Sequence, residues 1–232
     1  MSSPPASSPP AAPEGANPGL YTRLTMRWRY TPQVIWWRHP RVWGVPNPVL
    51  HTLLAAHAGQ EHLEVGVGNG YFPSRLPAWS PVRTLHLMDV NPACLAIASH
   101  TLRRRFTLHS HHHSALTPWE NLADDSVDSI NSYMTLHAIE RTGIGDLEPL
   151  VAEAHRVTKP GGCFFGATIV PKGAGVHLKP SAARLIEQYN AAGVFSNAND
   201  SVEDLHDLLE GHFAHVTTRA FGCVAVWEAV VR

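Results

Sequence analysis

Along this chain, short apolar runs alternate with longer stretches in which apolar residues recur at helical spacing. HLEVGVG (62–68) is a compact apolar run closing on glycines, the mark of a buried strand. TLHLMD (84–89) predicts a second strand, with Asn91 placed to cap the next helix and Pro92 at its first position. Leu95, Ala98 and Leu102 then share one face of a helix over 92–105. FTLHSHHH (106–113) predicts a third strand of unusual polarity, and VDSINSY (127–133) a fourth. Leu147, Leu150, Val151, Ala154 and Val157 line one side of a helix over 146–158, which Pro160-Gly161-Gly162 is expected to end. CFFGATIV (163–170) is the fifth strand. A short helix over 49–58 precedes the first strand, and helical pieces over 180–192 and 201–211 follow the fifth. The chain closes on two strand-like runs, HVTTRAF (215–221) and CVAVWEAVV (223–231).

Strand and helix in alternation imply a parallel sheet covered by helices on both faces. The expectation is an α/β, Rossmann-like three-layer sandwich. Its seven-stranded sheet is mostly parallel, and the last two runs, parted by little more than Gly222, form an antiparallel C-terminal edge hairpin. Residues 1–19 are almost wholly Pro, Ser, Ala and Gly and read as a disordered tail, since they cannot bury enough surface to offset ordering entropy. Residues 20–232 then form a single domain, in which 20–48 interleave Tyr and Trp with arginines as an aromatic N-terminal lid segment.

Charge changes this picture little and excludes some partners. With 18 Lys+Arg against 19 Asp+Glu in 232 residues, no net field draws the chain to nucleic acid or to an anionic membrane. A small-molecule partner is expected, with no nucleic acid and no membrane. No apolar run approaches the ~20 residues of a membrane span. Three cysteines, 94, 163 and 223, lie far apart without a CxxC pair, which suits a reducing cytoplasm and argues against a zinc knuckle. Nothing in the composition bears on the oligomeric state.

The candidate chemistry begins at EVGVGNG (64–70), where a strand closes on glycines that let the backbone approach a ligand. About twenty residues further on, Asp89 ends the second strand, where a carboxylate can accept both hydroxyls of a ribose. A dinucleotide site uses the same two features, but its GxGxxG spacing would need a small residue where this chain has Tyr71. The spacing here is acidic-x-Gly-x-Gly-x-Gly, with Glu64 in front.

EVGVGNG, then LMDVN (87–91), then LVAEAHRVTKPGGCFFGATIV (150–170) resemble the successive motifs of class I S-adenosylmethionine (SAM)-dependent methyltransferases. VGVGNGYF (65–72) and YNAAGVFSN (189–197) are further similar to segments of small bacterial and fungal members. The resemblance implies SAM as cofactor, with methyl transfer to an oxygen, nitrogen or sulfur atom of a small acceptor, in secondary metabolism. By position it places Glu64, Gly66, Gly68 and Gly70 at the methionyl end of SAM, Asp89 on the ribose and Val90 beside the adenine. Ser114 and Ala115 stand where the family has an acidic contact to the adenine amino group, and Asn131 and Ser132 would face the sulfonium.

For the acceptor, His137 is the candidate general base, because it follows the fourth strand on the cofactor's side; Tyr133 and Glu140 are weaker ones. A core or capping histidine is the plainer account of His137. Tyr21, Tyr30, Trp36 and Trp37 are candidate acceptor contacts, against plain packing or a stacking platform for nucleic acid. His109 and His111–His113 invite a metal, but neighbours along a strand point to opposite faces, so the four cannot share one site, and no metal is assigned. The alternatives to a methyltransferase are an NAD-dependent oxidoreductase and a SAM-binding partner subunit without catalysis.

Overall fold

The structure, a computed structural model, describes residues 31–232, and of 31–34 the backbone alone. The tail at 1–19 and the candidate contacts Tyr21 and Tyr30 lie outside the described residues.

Seven strands form one sheet in the order β3-β2-β1-β4-β5-β7-β6. They are β1 (Glu61–Val65), β2 (Thr84–Asp89), β3 (Thr107–His112), β4 (Val127–Tyr133), β5 (Thr158–Ile169), β6 (His215–Phe221) and β7 (Val224–Val230). The first five run parallel, and β7 lies antiparallel between β5 and β6. The helices are α1 (Thr31–Trp43), α2 (Asn47–His57), α3 (Tyr71–Ser74), α4 (Pro92–Leu102), α5 (Glu148–Val157), α6 (Pro180–Ala191) and α7 (Val202–Glu210).

Alternating strand side chains feed two apolar layers. Phe165, Leu85 and Leu87 pack on one side with Leu50 and Leu54 of α2 and with Leu95, Ala98 and Leu102 of α4. Phe164, Leu63, Val65 and Met88 pack on the other with Leu150, Val151, Ala154 and Val157 of α5 and Leu205 and Leu209 of α7. The expected three-layer sandwich is therefore present, including the edge hairpin.

Two element boundaries differ from the pattern for local reasons. β1 stops at Val65, because Gly66 turns to φ +76 and sends its N–H to Met88 O. α5 ends at Val157, with Thr158 Oγ1 bonding back to Ala154 O at 2.6 Å. Pro160-Gly161-Gly162 therefore interrupts a strand rather than ending a helix. β4 pairs Val127 with Thr158 and Ser129 with Cys163, so the extra residues of β5 bulge out between them.

The sheet order reverses between β1 and β4, and ligands of open α/β sheets bind outside the strand ends at such a point. α1 is a wide, π-type helix, the kind of turn that tolerates Pro40 within it. Main chain holds its end: Trp43 O accepts the Cys223 N–H at 2.9 Å from the β6–β7 turn. Gly222 allows this approach, because a Cβ there would stand 2.2 Å from Trp43 O, on a backbone at φ +61. Gly222→Ala is expected to lower stability by about 2–4 kcal/mol, from left-handed strain plus the clash. Urea denaturation measures it, and an unchanged midpoint would remove this contact from the account.

Candidate active site

A small cleft opens at the reversal point, lined in part by the glycine loop after β1. Glu64 at the end of β1 forms part of its wall and is only 5 % exposed. A buried carboxylate needs partners, and register supplies them. Glu64 lies opposite Asn131 on β4, and His62 opposite Ser129. Asn131 Nδ2 donates to Glu64 Oε2 at 2.8 Å, His62 Nε2 sits 3.1 Å from Oε1, and His62 Nδ1 lies 2.7 Å from Ser129 Oγ. The carboxylate is thus held on both oxygens.

The loop after β1 carries Gly66, Gly68 and Gly70, all at positive φ. At Gly66 a Cβ would fall 2.2 Å from Thr135 Oγ1, so the β1 and β4 loops close on each other only over a bare Cα. Asp89, at the end of β2, ties the loop down: Oδ2 accepts the Gly68 N–H at 3.2 Å and Oδ1 the Asn91 N–H at 2.9 Å. Burial raises the Asp89 carboxyl above its ordinary range, against these two N–H donors and His112. Asp89, Val90, Ser114 and Ala115 lie beyond the cleft's lining. Val90 O takes the His112 Nε2–H, Ser114 Oγ takes the Leu116 N–H, and Ala115 O takes the Trp119 indole N–H.

Ile35, Val67, Tyr71, Phe72, Pro73, Tyr133 and Met134 make most of the remaining wall apolar and aromatic, with Asn69 and His39 as its further polar side chains. Among the described residues no Lys or Arg lines the cleft, and Glu64 gives it an anionic cast. That composition fits SAM, whose sulfonium and ammonium are cations. Asn131 and Ser132 are fully buried and lie outside the cleft's lining; among the described residues Asn131 Oδ1 and Ser132 Oγ have no hydrogen-bond partner.

His137 does not reach this cleft. Its ring lies 4.5 Å edge-on from Phe195, and Nδ1 accepts the Ile169 N–H at 3.4 Å and faces Thr168 Oγ1 at 3.3 Å. With Nδ1 accepting, the neutral ring carries its proton on Nε2 and has no site left for another. Burial pushes it down to about 3, with Arg141 and His39 adding to the effect. The plainer account, a core histidine, describes this geometry. Tyr133 lines the cleft with its ring, but its hydroxyl is spent on Leu50 O at 2.8 Å, and burial holds the phenol protonated. Glu140 lies outside the cleft lining as well.

α1 brings in a residue that the sequence did not single out. His39 lines the cleft, is 1 % exposed and lies parallel to Phe72 with centroids 6.2 Å apart. Its Nδ1 is 3.1 Å from Asn47 Oδ1, and burial drives the imidazole down to about 4 despite that bond. Its position among the lid aromatics was the available signal, but it has no periodicity to mark it. Trp36 and Trp37 remain about half exposed, at 52 % and 51 %, and Trp36 Nε1 donates to the hydroxyl of cleft-lining Tyr71 at 3.1 Å. The β3 histidines separate as strand geometry requires. His111 stacks on His86 of β2, whereas His112 turns to Val90 O and His113 to Pro118 O. Among the described residues, no group of three or more His, Cys, Asp or Glu could hold a metal ion. Nor is any described helix long and apolar enough to cross a membrane.

Residues 63–166 match a family model described as a methyltransferase domain. The chain is 32% identical over 189 residues to the Escherichia coli protein YbcY, across 81% of this chain and 94% of that one. It is 30% identical over 194 residues to demethylluteothin O-methyltransferase of Streptomyces thioluteus, across 82% and 80%. Among solved structures, a SAM-dependent methyltransferase from Thermotoga maritima superposes with a TM-score of 0.54 at 18% identity, covering 79% and 92%. At that identity the likeness shows the fold alone.

The buried histidines make stability depend on pH. An unfolded chain protonates them near 6.5, whereas folded His39 resists to about 4 and His137 to about 3, and half-buried His111 adds less. Stability is therefore full above pH 6.5 and lost as the pH falls from there toward 4. Asp200, raised by burial to about 6 despite Arg141, opposes this by taking its proton first in the folded state. The net loss between pH 7.5 and 5 is expected to be about 2–4 kcal/mol. Denaturant midpoints at the two pH values measure it, and equal midpoints would contradict the burial of these rings.

Proposed function

The chain belongs to the class I SAM-dependent methyltransferases, and from that premise we propose that its cleft binds SAM together with a small acceptor and methylates an oxygen, nitrogen or sulfur atom. The observation that carries this reading is the doubly held Glu64 carboxylate next to a glycine loop, in a cleft wall without Lys or Arg among the described residues. When bound, SAM supplies a methyl group on a positively charged sulfur, open to in-line displacement.

In this reading Glu64 and the loop of Gly66, Gly68 and Gly70 hold the methionyl end. Asp89 holds the ribose, since each of its oxygens has a lone pair beyond the one given to a backbone N–H. Val90, Ser114 and Ala115 border the adenine through main chain, which replaces the missing acidic side chain. The unpartnered atoms of Asn131 and Ser132 serve the charged centre. Tyr133, Phe72 and Ile35 supply an apolar wall that excludes water and keeps an acceptor aligned with the methyl group, where much of the acceleration of such a displacement arises. Trp36, through Tyr71, and Trp37 belong to the acceptor side, with α1 as the lid. The Streptomyces relative, named for O-methylation of demethylluteothin, supports an acceptor of natural-product kind.

Asp89→Ala is expected to weaken SAM binding by about 1.5–3 kcal/mol, the usual scale for hydrogen bonds to a charged group. Titration calorimetry reads it. Unaltered affinity would move the ribose elsewhere. Transfer of labelled methyl from SAM to hydroxylated aromatic compounds tests turnover, and SAM binding without transfer to any acceptor would favour a non-catalytic partner subunit.

A further inference from the structure

We propose that His39 is the proton acceptor of this site, taking the proton from an acceptor hydroxyl through Nε2 while Asn47 fixes its tautomer; the inference rests on the methyltransferase reading above. Asn47 Nδ2 donates to Ile35 O at 2.8 Å, and a carbonyl can only accept. The amide is therefore oriented, and its Oδ1 faces His39 Nδ1 at 3.1 Å. An amide oxygen also only accepts, so Nδ1 carries the hydrogen and neutral His39 is left with a bare lone pair on Nε2. That atom is buried and has no hydrogen-bond partner. A buried acceptor left open costs ~1–3 kcal/mol unless something arrives to fill it, and this one belongs to a residue in the cleft wall.

The other titratable residues of the wall are committed. Both oxygens of Glu64 are held, Tyr133 donates its hydroxyl to Leu50 O, and Tyr71 receives Trp36 Nε1. His137 lies outside the cleft, and with Nδ1 accepting the Ile169 N–H its ring carries its proton on Nε2. With no cation in the wall to hold a carboxylate or phosphate, and with Phe72, Tyr71 and Ile35 around it, the cleft suits an apolar, hydroxyl-bearing ring.

The balance is simple. The oxygen–methyl bond forms as the methyl–sulfur bond breaks, the O–H proton passes to Nε2, and the sulfonium's positive charge ends on the imidazole. Nε2 later gives the proton to water. A weak base is enough, because the oxygen becomes strongly acidic as its new bond forms. Burial keeps the ring neutral, and so available, down to about pH 4. Nε2 is closed off from bulk water, so the hydroxyl reaches it as α1 yields and the hydrogen bond forms in a dry site.

Long-range ¹H–¹⁵N spectra of the S-adenosylhomocysteine complex, with phenol as probe, test this directly. Expected are protonated Nδ1 and bare Nε2 at pH 7, an Nε2 resonance that moves as phenol is added, and a mixture of tautomers in Asn47→Ala. His39→Gln is expected to keep S-adenosylhomocysteine affinity within about twofold and to lose about 10²–10⁴ in methyl transfer to phenol. The pH profile of the wild type should fall near pH 4, not near 6.5. A protonated Nε2, a resonance unmoved by saturating phenol, or full turnover in His39→Gln overturns the proposal alone. Failure to bind S-adenosylhomocysteine overturns the site reading with it.

Discussion

A carboxylate inside a protein must be matched on all sides or it drives the chain apart, and Glu64 sets this condition for the centre of the sheet. Its partners come from β4, not from its neighbours in sequence, so the pairing of β1 with β4 is chemical as well as hydrophobic. Ser129, His62, Glu64 and Asn131 form one chain of hydrogen bonds across two strands. A register slip of one residue would turn His62 and Glu64 to the opposite face and leave every member unpaired. The same pairing creates the reversal in strand order, and with it the cleft.

What covers the cleft depends on a second, weaker constraint. α1 is joined to the body by the main chain of Trp43 against the β6–β7 turn and by polar bonds that include Trp36 to Tyr71, Arg38 to Tyr189, Lys179 Nζ to Arg41 O, and Asn47 to both Ile35 O and His39. Ile35, Val42 and Trp43 add buried apolar contacts, so α1 is packed on the body along one side while Trp36 and Trp37 stay half exposed. On the proposed reading, the sheet holds the cationic cofactor by fixed charge, and α1 supplies shape and a lone pair.

Much of this was legible in the sequence, and the failures have identifiable causes. β2, β4 and β6 begin and end where the apolar pattern places them, and α5 buries four of the five expected stripe residues, with Leu147 buried in the turn just before it. Pro160-Gly161-Gly162 misled because Pro and Gly break strands as readily as helices, and only pairing with β4 shows a bulge. Glu64 and Asp89 were legible through the spacing of a motif that local backbone geometry demands. His39 was not, since its role arises from Asn47 on the next helix and Phe72 on another. His137 shows the converse: sequence placed it correctly after β4, but Thr168, Ile169 and Phe195 decide where the ring points.

The central claim is that fixed negative charge and an absence of cations select a sulfonium cofactor at the β1–β4 reversal. Calorimetric titration of the wild-type protein with SAM, S-adenosylhomocysteine and NAD tests it most directly. The account predicts one SAM or S-adenosylhomocysteine per chain and no measurable heat with NAD. Saturable NAD binding with none of SAM would contradict it.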